Sequence, residues 1–300
     1  MTTFAELADE VLLNIQGDAL DQNEQTFLTG SLNTTDLTFV VDEPRLISQG
    51  LIEIDDELLW VKSVNQSTGT VTLSTLGRGF RSTTAATHSA GATVTNNPRY
   101  SRFRVKQTIN TAIRAVYPDL YATATTELSY VAARLAYEVP AAVDQIHKVS
   151  WQSIGPSRVW IDVNSYMYVP DANTTSFPSG KALYIQDTII PGRTVRLTYL
   201  KAPTVLTNNS DDFVTTTGLA LTSKEVILYG ACYRLLGFIE APRLQGNAVE
   251  VTQRSTMVPV GSGANGGKFF YSLYMEALQQ ERERLLRSNQ MKVHRSRRIL

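Results

Sequence analysis

Three hundred residues with a mass of 33.2 kDa exceed one typical domain and predict two or three modules. Hydrophobic residues make up 43% and charged residues 19%, enough to bury a core and to exclude wholesale disorder. The 28 basic and 28 acidic side chains cancel, which excludes a protein that coats nucleic acid through net charge.

One cysteine, Cys232, excludes a disulfide framework and a cysteine zinc site. Three histidines, His88, His147 and His294, leave few catalytic bases. Glu6, Asp9 and Glu10 stand where a secretory signal would be basic. The most apolar stretch, Val226–Ile239, is interrupted by Arg234 and is too short to span a bilayer. The expectation is a soluble protein made inside a cell, with no membrane partner.

The first helix is predicted over 3–16. Phe4, Leu7, Ala8, Val11, Leu12 and Ile15 share one helical face, and Thr3 with Glu6 forms a capping box. Residues 26–97 are rich in Thr, Val and Gly, with strand-like runs at Leu37–Val41, Leu51–Ile54, Leu58–Val64 and Thr70–Leu73. Asp55-Asp56-Glu57 reads as the hairpin turn between the second and third of these. A small barrel or sandwich follows from such spacing.

Asn97-Pro98 opens a second helix, predicted to 117, with Val105, Ile109, Ala112, Ile113, Val116 and Tyr117 as its buried stripe. Arg99, Arg102, Arg104 and Lys106 crowd its first turns, where the helix dipole disfavours cations; a partner or solvent must take those charges. A second β region covers 124–207, with strands at Leu128–Tyr137, Ile146–Trp151, Arg158–Val163, Ala182–Gln186 and Thr194–Leu200. Its aromatics, Trp151, Trp160, Tyr166 and Tyr168, read first as core or sheet-face residues and second as a ligand-stacking face.

Helix resumes at Thr222, where Thr222 and Glu225 suggest another capping box, and runs to 239. Leu244–Ala264 reads as a loop ending in a glycine-rich hinge through Gly267. A last helix spans about 268–287, and 288–300 is a basic tail. The fold class is thus α+β. A discontinuous helical bundle core (1–25, 98–123 and 208–287) carries two inserted antiparallel β modules, 26–97 barrel-like and 124–207 sandwich-like.

Charge is segregated by sign. Residues 1–98 hold thirteen acids against four bases, whereas 221–300 hold twelve bases against six acids, as suits a molecule whose two ends meet different partners. Arg284, Arg287, Lys292, Arg295, Arg297 and Arg298 run to the C-terminus without an intervening acid and end on Ile299 and Leu300. Cations capped by apolar residues suit docking into an acidic protein groove. A solvated tail and contact with DNA are the rival readings.

No catalytic constellation emerges. Gly267-Lys268 lacks the upstream glycine and the following Ser or Thr of a phosphate loop, since Ser262 and Phe269 occupy those positions. Cys232 lies in the apolar helix, where a thiol is a small hydrophobe. His88 has no paired histidine and is expected to make structural hydrogen bonds. Adjacent acids at 55–57 and 211–212 do not oppose one another across a cleft, and neither has EF-hand spacing. The expectation is no enzyme, no cofactor and no metal.

Two sets of residues together resemble a known family. Gly50–Val61 (GLIEIDDELLWV) and Leu76–Val94 (LGRGFRSTTAATHSAGATV) are similar to a β module recurring in virion proteins of tailed bacteriophages. Arg104–Leu120 (RVKQTINTAIRAVYPDL), Glu225–Phe238 (EVILYGACYRLLGF) and Phe270–Arg287 (FYSLYMEALQQERERLLR) resemble the helical core of head-to-tail adaptor, or connector, proteins. That resemblance implies a ring of about twelve copies beneath the portal, a C-terminal segment docked on the portal, β parts facing outward or meeting tail, nozzle or fibre proteins, and DNA passing through the lumen. It also implies a place in the virion neck, with Arg99, Arg102, Arg104 and Lys106 as contacts to a neighbouring copy or the DNA channel. A tail-associated, receptor- or glycan-binding virion protein is the alternative.

Overall fold

A computed structural model describes residues 2–16, 24–154, 158–246 and 262–288. Helix α1, Phe4–Gln16, buries Phe4, Leu7, Ala8 and Val11. It starts with the expected capping box: Glu6 N–H donates to Thr3 Oγ1 at 3.2 Å, and Thr3 N–H donates to Glu6 Oε2 at 2.8 Å.

Six strands follow: β1 (Gln25–Phe27), β2 (Thr38–Val40), β3 (Gly50–Ile54), β4 (Glu57–Asn65), β5 (Thr70–Leu73) and β6 (Thr93–Asn96). They form an antiparallel sheet ordered β1-β6-β3-β4-β5-β2. Its two outer strands meet, because Thr29 N–H donates to Val40 O at 3.1 Å and Asp42 N–H to Phe27 O at 3.0 Å. The sheet is therefore curled onto itself around Leu28, Leu32, Phe39, Ile52, Ile54, Leu59, Val61 and Val71. Strands β1 and β6 went unread in the sequence because three or four residues carry almost no alternation signal.

Helix α2 spans Arg102–Ala115, four residues later than Pro98 suggested. Ser101 makes the start, its Oγ accepting the Arg104 N–H at 3.2 Å, while Asn97 holds a left-handed φ of 42° that helix cannot continue from.

Seven further strands are β7 (Ala122–Ser129), β8 (Ala136–Glu138), β9 (Gln145–Gln152), β10 (Trp160–Asp162), β11 (Tyr166–Val169), β12 (Ala182–Ile185) and β13 (Thr194–Lys201). They make a four-stranded sheet, β10-β9-β13-β7, and a three-stranded one, β11-β12-β8. Val149, Val195, Leu197 and Tyr199 from the first share one core with Tyr137, Leu183 and Ile185 from the second. The single strand expected over Leu128–Tyr137 is broken. The Tyr137 hydroxyl donates to Val131 O at 3.0 Å and accepts its N–H at 2.9 Å, which closes a loop between β7 and β8.

Helix α3, Phe213–Thr217, is capped by Asp212, whose side chain accepts the Thr215 N–H at 3.0 Å. Helix α4 runs Lys224–Gly246 and buries Val226, Ile227, Leu228, Ala231, Cys232 and Leu235. Thr222 sits in a 3-10 turn before it and donates to Glu281 rather than closing a box with Glu225. Helix α5 runs Ser262–Ser288, so the glycine-rich stretch from Ser262 is helical and not a hinge. A Cβ at Gly266 would make only ordinary contact with Leu236 Cδ1 at 3.6 Å, whereas one at Gly230 of α4 would lie 3.3 Å from the Tyr274 ring of α5, so it is Gly230 that lets the two helices approach. The part of the expected loop over 247–261 lies outside the described residues.

The chain divides into two compact units, Thr2–Ala112 with Val226–Tyr274, and Ile113–Glu225 with the residues from Met275 onward. The first holds α1, the barrel-like sheet, most of α2 and α4, and the start of α5. The second holds the two packed sheets, α3 and the rest of α5. Leu59 is wholly buried in the barrel, and Leu59→Ala should lower unfolding free energy by about 2–5 kcal/mol, read as a reduced urea midpoint with an unchanged m-value.

Candidate functional site

The turn Asp55-Asp56-Glu57 directs its three carboxylates to three different places. Glu57 opens β4 and its side chain is buried. Arg78 grips it in two-pronged fashion, Nε to Oε1 at 2.8 Å and Nη2 to Oε2 at 2.9 Å. The N–H groups of Gly79 and Ala86 donate to it at 2.9 and 3.0 Å, and His88 Nε2 lies 2.9 Å from Oε2. Burial alone would push Glu57 up; Arg78, then His88 and the two N–H groups, outweigh it and bring the carboxyl down to about 2.

Arg78 also donates to the carbonyls of Asn33, Asp36 and Ala86, the last two at 3.1 and 2.6 Å. His88 exchanges backbone hydrogen bonds with Leu32, both at 2.9 Å, and its Nδ1 meets Asp55 Oδ2 at 2.8 Å. Burial would lower the imidazole, but Asp55 and Glu57 reverse this and raise it to about 9. A doubly bonded imidazolium with no vacant nitrogen is a structural clamp, as the lone histidine suggested.

The cations of α2 are divided. Arg102 pairs with Asp9 of α1 and lies 3.6 Å from Asp56, while Lys106 Nζ is 2.5 Å from Asp56 and 5.4 Å from the Phe4 ring centre. Acids brought in by the fold thus offset the unfavourable helix start. Glu53 adds to this. It is buried, and its Oε1 has no hydrogen-bond partner. Burial raises its carboxyl to about 8 despite the backbone N–H groups of Arg102 and Phe103. Arg99 and Arg104 line a cavity of about 390 Å³, together with Arg81. Leu51, Leu58 and Leu235 supply apolar wall.

On α5, Glu281 is buried and accepts from Thr222 Oγ1 (2.8 Å), Ser223 Oγ (2.7 Å) and Arg284 (2.6 and 2.8 Å). Burial would raise this carboxyl, and Arg284, Ser223 and Thr222 together lower it. Arg284 is therefore tied to its own chain. Arg287 is exposed and 3.5 Å from Glu283, a pairing of little energetic weight. Lys292, Arg295, Arg297, Arg298, Ile299 and Leu300 lie outside the described residues. Trp151, Tyr166 and Tyr168 pack against the core between the two sheets, and Arg196 covers the face of Trp160 at 3.9 Å.

Among the described residues no group of three or more His, Cys, Asp or Glu is placed to hold a metal, and no helix is long and apolar enough to cross a membrane. Burial pushes the Cys232 thiol up to about 12, which removes thiolate chemistry. The sequence missed Glu53 and the Glu57–Arg78 pair. Their signal was an acid cluster between two apolar strands, with an arginine and a histidine downstream, but nothing in it specifies who meets whom.

Residues 83–257 match the model of a protein family described as SU10 adaptor protein, over more than half of the chain. No curated protein matches the chain.

The titrations fix a pH profile for the barrel. Glu57, lowered from 4.5 to about 2, contributes stability that is complete above pH 4.5 and lost as pH falls through 2. His88, raised from 6.5 to about 9, contributes stability that is complete below pH 6.5 and lost as pH rises through 9. Glu53 keeps its proton in the folded state between 4.5 and about 8, so stability also declines across that range. Melting temperature should therefore rise from pH 2 to 4.5 and decline above it. Glu53→Gln should flatten the decline between pH 5 and 8, and Glu57→Gln should destabilise by about 3–5 kcal/mol by stranding Arg78; thermal melts against pH check both.

Proposed function

The chain belongs to the SU10 adaptor protein family, and from that premise we propose that it is a head-to-tail connector, a ring beneath the portal that joins capsid to tail and surrounds the DNA channel. Membership makes it a phage structural adaptor and a component of the virion; the ring, the portal contact and the channel are the finer reading. The family match is the observation that carries it, because the matched stretch takes in α2, both packed sheets and α4.

Sign segregation along the chain supports the reading. The basic stretch from Arg284 to Leu300 is the portal-docking element, and the acid-rich first 98 residues repel threaded DNA. A helical core drawn from 1–25, 98–123 and 208–287 forms the wedge of each copy, with the two β modules meeting tail, nozzle or fibre proteins. Each docking contact can be weak, since a closed ring multiplies it without new contact types. Arg284 reaches the portal only through its exposed part, so Arg287 and the residues after it carry the docking.

Deleting 288–300 should leave a folded protein that no longer joins portal rings. Negative-stain imaging and co-sedimentation with purified portal test this: full-length chain should give an annular density on the portal and the truncated chain none. Equal co-sedimentation of the two would remove the tail from the mechanism, and an absence of rings with the full chain would remove the connector reading.

A further inference from the structure

Exposed aliphatic side chains gather at one end of the two packed sheets. Ser129, the last residue of β7, pairs with Thr194, the first of β13, and Trp151 of β9 pairs with Val195. The connections that leave these strands therefore emerge together. Tyr130 N–H donates to Arg193 O at 2.8 Å, Ser153 N–H to Val159 O at 2.8 Å, and Ile185 N–H, at the end of β12, to Leu135 O at 3.1 Å. Val131, Leu135, Val159 and Ile190 stand on these connections, with exposures from 42% at Ile190 to 68% at Leu135. The chain enters and leaves at the opposite end, where Ala122 pairs with Lys201. Apolar side chains scattered singly on a surface are ordinary, but four on adjoining loops form a patch of the kind that marks association.

This tip is basic. Arg134, Arg158 and Arg193 belong to the same three connections, whose one acid is Asp187. Asp187 is occupied by the N–H groups of Asn164 and Ser165, at 2.6 and 3.2 Å. The ion pairs of these sheets, Lys148 with Asp162 and Arg196 with Glu127, involve other residues.

The barrel presents the complement. Where β1 and β2 meet, Leu28 and Val41 are bridged and buried, and the alternate residues Phe27 and Val40 face outward, 52% and 39% exposed. Asp42, whose N–H is bonded to Phe27 O, and Glu43 set two exposed acids beside them. From Glu24 to Ile54 the chain carries five acids against one base, Arg45.

We propose that the tip of one copy docks on this face of a second copy, its aliphatic side chains against Phe27 and Val40 and its arginines toward Asp42 and Glu43. A phosphate backbone would answer the arginines but has nothing to place against the aliphatic side chains, whereas the barrel face answers both. Because the two surfaces differ, the contact is head-to-tail and passes from copy to copy, closing when the rotation per step allows. Its closure into a ring rests on the connector reading, which it deepens by naming the surfaces that join neighbours. The other faces of both β modules remain for tail-side proteins.

The experiment is sedimentation velocity on the full chain and two variants. A tip variant carries Leu135→Asp with Arg158→Glu, and a barrel variant carries Phe27→Lys with Glu43→Lys. All four side chains are exposed, so both variants should keep the melting temperature of the unaltered chain. Each variant alone should self-associate about tenfold more weakly or less than that. An equimolar mixture should form a one-to-one dimer and nothing larger, since it retains one intact tip and one intact barrel face that can meet. That dimer also shows that the surviving surface of each variant is folded. A monomeric unaltered chain, undiminished association of either variant, or a mixture that stays monomeric overturns the proposal. Rings of either variant on purified portal would overturn this contact and leave the connector reading standing; a dimer in the mixture without rings of the unaltered chain on portal would do the reverse.

Discussion

A single buried carboxylate ties the loops of the barrel to one another. Glu57 accepts five hydrogen bonds, from Arg78 twice, Gly79, Ala86 and His88, and each donor sits on a segment with no sequence neighbour in β4. Arg78 passes the constraint on to the loop at 33–36 through the carbonyls of Asn33 and Asp36, and His88 passes it to Leu32 and Asp55. Loops that would each need their own internal stabilisation are thereby tied to one charge. The long Thr- and Ala-rich excursion between β5 and β6 keeps a fixed path although most of it forms no strand. Replacing such a pair by apolar residues could be neutral for stability, but removing one partner strands the other, so the network acts as an all-or-none specification of the loop geometry.

That geometry sets what lies outside the barrel. The same turn that offers Glu57 inward offers Asp56 to Lys106 and Arg102, which places the start of α2 against β3 and β4 and buries Glu53 beneath it. Two of the cations in the first turns of α2, Arg102 and Lys106, therefore fasten the helix to acids of the barrel and of α1. Arg99 and Arg104 line the neighbouring cavity. A similar fastening occurs on α5, where Glu281 takes Arg284 together with Thr222 and Ser223 while Arg287 stays exposed. Charge in this structural adaptor is thus used to fasten elements of its own chain to one another.

Much of the secondary structure was legible because it is local. The box at Thr3 and Glu6, the turn at 55–57, the apolar run at 226–239 and the strands at 146–151 and 194–200 are written in residue spacing, and spacing survives folding. Very short strands such as β1 and β11 carry too few residues for a period, and β7–β8 shows how one tyrosine hydroxyl can break what reads as a continuous strand. The glycines at 266 and 267 read as a hinge, but α5 runs helical through them, and the close approach of the two helices falls at Gly230 and Tyr274, since closeness between helices has no signature in either helix alone.

The sequence by itself determined the mixture of helix and strand, the existence of a β-rich segment on each side of α2, the absence of a disulfide framework, and the separation of acidic from basic ends. Only the tertiary structure decided the partner of each charge. Glu57 with Arg78 and His88, Asp56 with Lys106, and Glu281 with Thr222 are separated by 21, 31, 50 and 59 residues. An ion pair depends on distance in space, which the chain sets through loop closure and sheet register, whereas composition records only that both charges are present.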